Sequence, residues 1–299
     1  MSSKRVSWAP NTGFEDPFWH LAALRVSQVW ETTRGEGVVI AILDGGVDDV
    51  AGLRGERIQR VDYRGSEIAP GDDSDGHGTA CASLAASSNR HALGVAPRAD
   101  ILSINVAGVS GEPLLYKVES GLRVAIEHAD IISCSFVMPE VSRAVADAIQ
   151  EASALGRVVV GAAGNDESLS SAFPEALPEV ISVAALSRDK TPLVGGRFGP
   201  FIDIAAPGQD LKVITPYGIK SWLGATSGAA AIVSGVCALI LSAAKKIGLE
   251  PAEVGRSLGE LIQTTATDLV DEGLDPTTGA GLINPPMLLE AVLSQLGVS

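Results

Sequence analysis

The sequence predicts an α/β fold, with a mostly parallel, twisted sheet as the middle of three layers and helices on both of its faces. Short apolar runs alternate along the chain with stretches of helical periodicity. The apolar runs are continuous, which is typical of parallel strands buried on both faces. No proline-rich linker, repeat or change of composition divides residues 1–299, so we predict one domain, with 1–17 as an N-terminal extension.

Six apolar runs have the length and residue types of buried strands. Several end in Gly, Asn or Asp, residues that favour turns after a strand. The six predicted strands are VVIAIL (38–43), ADILSINV (99–106), DIISCSF (130–136), RVVVGAAGN (157–165), EVISVAAL (179–186) and FIDIAAPG (201–208).

Helices are predicted between and after these strands, from apolar periodicity or from runs of small residues. The predicted helices are HGTACASLAA (77–86), LLYKVESGLRVAIEHA (114–129), VSRAVADAIQEASALG (141–156), about 227–246, and 251–264. An apolar segment near the N-terminus, FWHLAALRVSQVW (18–30), has two interpretations: it covers the domain's own core, or it contacts a partner.

Composition excludes some classes of partner. The formal net charge is −14 and no Lys/Arg-rich run occurs, which argues against nucleic acid and anionic membranes as partners. The three cysteines lie in apolar or small-residue stretches without paired spacing, as expected of reduced thiols in the cytoplasm. The N-terminus lacks the apolar region of a secretory signal, and the longest apolar stretch, 229–244, is short for a membrane span.

Four polar residues follow predicted strands or open predicted helices, where α/β proteins carry their chemistry. Each has an ordinary explanation: Asp44 as a turn residue, His77 as a loop residue, Asn165 as a left-handed turn and Ser227 as a helix cap. The acidic loop 72–76 could suggest a metal site, but it lacks EF-hand spacing.

Taken together, these residues follow the chain order of the subtilisin triad: Asp, then His-Gly-Thr at a helix start, then Thr-Ser at another. The chain resembles the subtilisin-like serine proteases from about Trp30 to Val292. The segments that carry the resemblance are VVIAILDGGVD, HGTACAS, LGVAPRADILSINV, VVVGAAGN, FPEALPEVISVAAL, IDIAAPG, GATSGAAAIVSGVCALI, TTATDL and TGAGLINPPMLLEA.

The resemblance implies catalytic roles for the four residues. Ser227 would be the nucleophile, His77 the general base and then acid, and Asp44 the group that orients the imidazole. The Asn165 side-chain amide would donate to the oxyanion beside the Ser227 backbone N–H. The implied substrate-binding residues are Ser135, Phe136, Val137, Ala162, Ala163 and Gly164.

The sequence departs from the family pattern around the nucleophile and in the specificity strand. Ala225 stands where the family usually has glycine, and Gly228 stands where it usually has methionine. Val137 and Met138 replace glycines that border the pocket for the residue before the cut, so we expect a preference for small or unusual side chains there. Cys81 lies beneath the catalytic histidine, either as a small buried residue or as a redox or heavy-metal handle.

The loop 87–95 is short and offers few carboxylates, so calcium binding there is not expected, and we predict neither a metal nor a cofactor. The short N-terminal segment suggests a chain without the family's prodomain. We predict a cytoplasmic serine endopeptidase that processes a limited set of peptide or protein substrates, with no prediction of oligomeric state. The alternatives are a weakly active or inactive peptide-binding scaffold and a transamidase that matures peptides.

Overall fold

The computed structural model of the chain describes residues 18–70, 73, 75–166, 173, 177–222, 224–270 and 272–294. The strands are β1 (Val39–Asp44), β2 (Ile58–Asp62), β3 (Ser88–Asn89), β4 (Ala92–Leu93), β5 (Asp100–Asn105), β6 (Ile131–Cys134), β7 (Val158–Ala162), β8 (Val180–Leu186), β9 (Ile204–Pro207), β10 (Leu211–Thr215) and β11 (Gly218–Trp222). The α-helices are α1 (Trp19–Ala23), α2 (Val26–Val29), α3 (His77–Ala86), α4 (Leu115–His128), α5 (Arg143–Ala154), α6 (Ala225–Lys246), α7 (Pro251–Thr264) and α8 (Pro285–Ser294).

Seven strands form one parallel sheet in the order β2-β5-β1-β6-β7-β8-β9. Helices α4 and α5 pack on one face, and α3 and α6 pack on the other. The strands are apolar along their whole length because both faces are covered, and β7 and β8 are buried at every residue. The predicted three-layer α/β fold is therefore confirmed.

Helix α6 forms the centre of one layer. It runs for 22 residues, and Thr226 to Ala244 are all buried. Within the described residues it is the one helix long and apolar enough to cross a membrane, and its most apolar stretch is entirely buried inside the protein. Small side chains on its first turns let it lie directly against β6, β7 and β8.

The apolar segment 18–30 forms α1 and α2 and covers the core of its own chain. Leu24, Val26 and Val29 are almost fully buried in the larger apolar cluster. Helix α2 packs against the C-terminal helix α8. The interpretation that this segment covers the core of its own domain is therefore correct.

Two small antiparallel hairpins lie outside the main sheet. Strands β3 and β4 form one of them, within the short loop 87–95. Strands β10 and β11 form the other, directly before the start of α6. Its turn lies beside the start of α3, since a Cβ placed on Gly76 would be 3.2 Å from Pro216 Cδ.

Candidate active site

The polar residues of the site lie at the carboxyl ends of three adjacent strands. Asp44 ends β1, Ser135 follows β6, and Asn165 follows β7. Because β1, β6 and β7 are neighbours in the sheet, these residues meet at one edge. Helices α3 and α6 begin there and add His77 and Ser227.

Asp44 and His77 form a tight pair. His77 Nδ1 lies 3.0 Å from Asp44 Oδ1 and 2.9 Å from Asp44 Oδ2. A carboxylate can only accept hydrogen bonds, so Nδ1 carries the hydrogen and Nε2 of the neutral ring is the basic nitrogen. The pairing depends on a close approach of α3 to β1, because a Cβ on Gly78 would lie 2.1 Å from Gly46 O and 3.0 Å from Asp44 Cβ.

Ser227 lies in the first turn of α6 and is 7% exposed. Its hydroxyl donates to the Ser135 backbone carbonyl at 3.0 Å, and the Ser135 hydroxyl donates to the Ser227 carbonyl at 3.1 Å. This reciprocal pair fixes the start of α6 against the end of β6. The positive end of the helix dipole lies at the Ser227 hydroxyl, where it would favour negative charge.

Asn165 is exposed, and its side-chain orientation is set by Thr226. Asn165 Oδ1 accepts from the Thr226 backbone N–H at 3.0 Å and from its hydroxyl at 2.8 Å. The amide oxygen therefore faces α6, which leaves the NH₂ group as the outward donor. Thr226, which is 1% exposed, also accepts from the Gly164 backbone N–H at 3.2 Å. Sequence reasoning did not assign this orienting role to Thr226, although the residue stands directly before the nucleophile.

Ala225 has a positive φ, although it carries a side chain where the family usually has glycine. Its φ is +42°, in the left-handed region that a Cβ disfavours, and it follows Gly224 at φ +69°. The chain thus enters α6 through two consecutive residues with positive φ, and only one of them is glycine. The strain lies two residues before Ser227.

Cys81 lies on α3, one turn after His77, with Sγ 3.9 Å from His77 Nδ1. The charges of Cys81 and Asp44 raise the pKa of His77 above its ordinary value, and burial opposes them. Among the described residues, Asp44, His77 and Cys81 are the one group of potential metal ligands, with ligand atoms within 4.8 Å of one another. Within this group, the Asp44 carboxylate and His77 Nδ1 are already hydrogen-bonded to each other.

The other two thiols lie away from solvent. All three cysteines are free and buried. Burial raises the pKa of the Cys134 thiol above its ordinary value and that of Cys237 to about 12. Neither is a reactive thiolate at neutral pH.

The predicted substrate-binding residues form two neighbouring segments, one after β6 and one at the end of β7. Val137 lies close to Gly164, since a Cβ on Gly164 would lie 3.2 Å from Val137 Cγ1. Met138 is buried and pairs through its backbone with Phe173. The structure thus places Ser135, Phe136 and Val137 beside Ala162, Ala163 and Gly164.

Arg197 also lies against Gly164, and the sequence did not predict its place there. It is 8% exposed, donates from a guanidinium N–H to the Ala163 carbonyl at 3.3 Å and stacks 5.1 Å from the centre of the Phe201 ring. Its Cδ would lie 2.7 Å from a Cβ on Gly164. No local sequence signal marks Arg197, because its place depends on how the 187–203 connection folds back over β7.

The acidic loop 72–76 lies partly outside the described residues. Asp73 and Asp75 are described. Asp73 Oδ2 accepts from the Thr79 backbone N–H at 2.7 Å, and Asp75 Oδ1 accepts from the His77 backbone N–H at 3.0 Å. Both carboxylates therefore support the first turn of α3.

A carboxylate, an imidazole, a hydroxyl and an amide at one edge of a parallel sheet are the groups that a serine hydrolase uses. A sequence model of the subtilase family (peptidase S8) matches residues 35–281. The chain belongs to the subtilase family and is a subtilisin-like serine protease.

Two curated relatives and one solved structure show the range of similarity. Thermitase from Thermoactinomyces vulgaris is 30% identical over 224 residues, which cover 73% of this chain and 80% of thermitase. An intracellular serine protease from Paenibacillus polymyxa is 34% identical over 229 residues, which cover 73% of this chain and 70% of the relative. The structure of the prenylagaramide maturation protease PagA matches with a TM-score of 0.78 at 26% identity, covering 89% of this chain and 98% of PagA.

Proposed function

We propose that this chain is an endopeptidase that forms an acyl-enzyme on Ser227 and processes a limited set of peptide or protein substrates in the cytoplasm. Two observations support the proposal: the Asp44–His77 pair, and the position of Asn165 and Ser227 at the carboxyl ends of the neighbouring strands β7 and β6. A peptide carbonyl at this edge would be within reach of a nucleophile, a base and an amide donor.

In the proposed mechanism, the Ser227 hydroxyl changes its hydrogen-bond partner before attack. Its single proton is donated to the Ser135 carbonyl in the free protein. A substrate that pairs its backbone N–H with the Ser135 carbonyl competes for this acceptor and releases the hydroxyl to turn toward His77 Nε2. His77 then takes the proton as Oγ attacks the carbonyl, and Asp44 stabilises the imidazolium.

The oxyanion is stabilised by groups that are in place before substrate binds. Asn165 has its amide oxygen held by Thr226, so its NH₂ group needs no reorganisation to donate. The Ser227 backbone N–H and the α6 dipole act at the same place. His77 returns its proton to the leaving amine, and water repeats the sequence to release the acyl group.

We further propose that the residue before the cleaved bond is small. Val137 and Arg197 both approach Gly164 and leave little room beside it for that side chain. A peptide library that varies this position should favour Ala, Ser or Gly, and a preference for Phe or Tyr would contradict the assignment.

Limited processing in the cytoplasm rests on two observations of different kinds. The thiols are free and buried, with high pKa values for Cys134 and Cys237, which suits a reducing compartment. One relative is named an intracellular protease and one structural neighbour a maturation protease.

A fluorophosphonate probe tests the central step. It should modify the wild-type chain once, with a bond from Ser227 Oγ to phosphorus and loss of fluoride, and peptide mapping by mass spectrometry should place the label on Ser227. Ser227→Ala should not be labelled, whereas Ser66→Ala, at an exposed turn, should be labelled like wild type. A folded wild-type chain that resists the probe would favour the peptide-binding scaffold instead.

A further inference from the structure

One buried carboxylate near the catalytic pair takes no part in the proposed mechanism. Asp73 is 2% exposed and lies four residues before His77 in the chain. Its Oδ2 accepts from the Thr79 backbone N–H at 2.7 Å, and its Oδ1 has no hydrogen-bond partner among the described residues. A buried charge with one unpartnered oxygen is costly, so fold stability alone does not favour an aspartate here.

Asp73 lies between the two segments that carry the catalytic pair. On one side is the segment after Asp44, since a Cβ placed on Gly45 would lie 3.6 Å from Asp73 Oδ1. On the other side is the first turn of α3, where Thr79 follows His77 by two residues. The Asp73 carboxylate is therefore adjacent both to the chain that leaves Asp44 and to the helix that begins with His77.

Thr79 connects these two segments through its hydroxyl. Its Oγ1 accepts from the Asp48 backbone N–H at 2.9 Å, and the same hydroxyl is hydrogen-bonded to the Asp73 carboxylate. Because an ionised carboxylate can only accept, the hydroxyl hydrogen of Thr79 points to Asp73. Ionised Asp73 thus makes two charge-assisted bonds with Thr79, and such bonds are about twice as strong as neutral ones.

Asp73 supplies the buried charge at the start of α3. The first N–H groups of a helix have no partner within the helix, and the N-cap residue Gly76 has no side chain to accept from them. Asp75 accepts from the His77 N–H but is exposed to solvent, whereas Asp73 accepts from the Thr79 N–H inside the protein. Buried charges are screened less than exposed ones, so Asp73 acts more strongly on this helix end.

The position of this turn determines how Asp44 and His77 meet. His77 Nδ1 lies within 3.0 Å of both Asp44 carboxylate oxygens. The contact leaves no slack, because a Cβ on Gly78 would lie 2.1 Å from Gly46 O. A misplacement of about 1 Å in a catalytic group can cost about 10²-fold in rate.

Negative charge around Asp73 opposes its ionisation. Burial raises the pKa of Asp73 to about 6, and its hydrogen bonds to Thr79 lower that pKa only in part. The charges of Asp44 and Asp75 raise it further. The other titratable side chains on the surrounding elements are those of Asp48 after β1, His77 and Cys81 on α3, and Tyr217 in the hairpin turn beside Gly76.

We propose that Asp73 is a positioning residue whose ionised carboxylate holds the start of α3, and with it the His77 imidazole, in place against Asp44. The inference rests on the proposed endopeptidase function and concerns the same site. Asparagine could also accept from the Thr79 N–H, so the role belongs to the charge. Protonation of Asp73 weakens both bonds to Thr79 and thereby slows the reaction of Ser227.

Asp73→Asn tests this, because it removes the charge and keeps the size of the side chain. The rate constant for Ser227 labelling by the fluorophosphonate is measured at pH 8 and pH 5, above and below the pKa of Asp73. At pH 8 the variant should react about five- to tenfold more slowly than wild type, the effect expected when charge-assisted bonds become neutral. At pH 5 Asp73 is protonated in wild type, so the two rates should differ by less than about twofold. A purely structural role would give the same ratio at both pH values and would overturn the inference.

Asp203→Asn is the matched control. Burial also raises the pKa of Asp203, and its Oδ2 also accepts a backbone N–H, from Ser182 at 2.7 Å. It precedes β9, however, and so lies at the amino edge of the parallel sheet, opposite the site. Asp203→Asn should react like wild type at both pH values, and a pH-dependent loss equal to that of Asp73→Asn would contradict the assignment.

Urea unfolding separates loss of position from loss of fold. The folded pKa of Asp73 is raised, so its ionised form destabilises the fold at pH 8, and this cost disappears as pH falls below the unfolded pKa. Asp73→Asn should therefore unfold at a higher urea concentration than wild type at pH 8, with a smaller difference at pH 5. Slower labelling by a variant that is less stable at pH 8 would overturn the inference.

Thr79→Val is a second variant that keeps Asp73 itself. Valine preserves the shape of the side chain but cannot donate to the carboxylate, so the pKa of Asp73 should rise. The loss of labelling rate that follows Asp73 protonation should then begin at a higher pH than in wild type. An unchanged pH profile in Thr79→Val would contradict the proposed link between Asp73 and the start of α3.

The wild-type reaction separates this failure from failure of the proposed function. If the fluorophosphonate labels Ser227 but the ratio between Asp73→Asn and wild type does not depend on pH, the positioning role is wrong and the serine chemistry stands. If the folded wild type is not labelled, the proposed function fails and the positioning role fails with it.

Discussion

The floor and the rim of the active site differ in how the chain holds them. We call Asp44, Ser227 and Thr226 the floor, and the loops 107–113 and 193–197 with the turn of the β10–β11 hairpin the rim. The three floor residues lie at strand or helix ends and are largely buried. The Asp44 side chain is 10% exposed, Ser227 is 7% exposed and Thr226 is 1% exposed. On the rim, Val109, Val194 and Tyr217 are largely exposed.

This difference separates two tasks. Floor residues are fixed by several hydrogen bonds each, so the reacting groups need little reorganisation when substrate binds. On the rim, the exposed apolar side chains of Val109 and Val194 are available to a peptide. We therefore expect floor substitutions to change kcat and rim substitutions to change KM.

Asn165→Ala, which removes a donor that the floor residue Thr226 orients, should have the largest effect. Loss of the amide donor should lower kcat by about 10²–10³ with little change in KM, because the donor acts on the oxyanion and not on the bound substrate. Val109→Ala, on the rim, should leave kcat within about twofold of wild type. Steady-state kinetics on one peptide substrate would measure both, and an equal loss of kcat in the two variants would remove the distinction.

Ala225→Gly tests the strained entry to α6. Glycine adopts the observed φ of +42° without a Cβ penalty, so the free energy of unfolding should rise by about 1 kcal/mol. Ala229→Gly, in the helical interior of α6, should instead lower it by about 1 kcal/mol.

Urea unfolding of the two glycine variants measures these opposite signs. Activity of Ala225→Gly should remain close to wild type if the strain serves only to direct the chain into the helix. Destabilisation of both variants alike would show that Ala225 is not strained.

Cys81→Ala gives the smallest expected effect, a shift in the pH dependence of kcat/KM. In the proposed mechanism His77 acts as a base only when neutral, so we expect activity to be lost as pH falls through its pKa. Cys81 is the first cause of the raised pKa of His77, so its removal should lower that pKa and extend activity to lower pH. Cys237→Ala, in buried α6, should leave the acid side of the pH profile unchanged. An unchanged acid side in Cys81→Ala would contradict the assignment of Cys81 as a cause of the raised His77 pKa.

The same pKa shift has a consequence for stability. A raised pKa in the folded state means that protonated His77 stabilises the fold at pH values below its unfolded pKa. That contribution is lost as pH rises through the folded pKa. Removal of Cys81 should therefore weaken the stabilisation that protonated His77 provides at low pH.

The core elements were predictable because burial on two faces leaves a strong pattern. The helix predicted over 77–86 is α3 itself, and the strand predicted over 38–43 is β1 shifted by one residue. The strand β2 was missed because it lies at the edge of the sheet, where Gln59 is exposed and the apolar run is broken. Helices α1 and α2, of five and four residues, are too short to show a period.

The hairpin β10–β11 and the helix α8 were also missed. The hairpin turns through Pro216 and Tyr217, without the Asn-Gly or Asp-Gly signal of common two-residue turns. Helix α8 begins directly at a Pro-Pro pair, which on its own suggests an irregular segment.

The four central site residues could be predicted because each stands in a local motif, whereas Thr226 and Arg197 gained their significance from tertiary contacts. Arg197 reaches Ala163 and Gly164 through a connection that folds back over β7. Sequence alone gives no measure of such distances. The rim of the site is therefore less predictable than its floor.

A crystal structure of the chain after reaction with an acetyl-Ala-Ala-Ala peptide whose last residue is replaced by its diphenyl phosphonate analogue tests the central claim most directly. We predict a covalent bond from Ser227 Oγ to phosphorus, with the phosphonyl oxygen within hydrogen-bond distance of Asn165 Nδ2 and the Ser227 N–H, and His77 Nε2 beside Oγ. A complex in which Asn165 or His77 points away from the phosphorus, or in which another residue is modified, would contradict the convergence of these four side chains on one carbonyl.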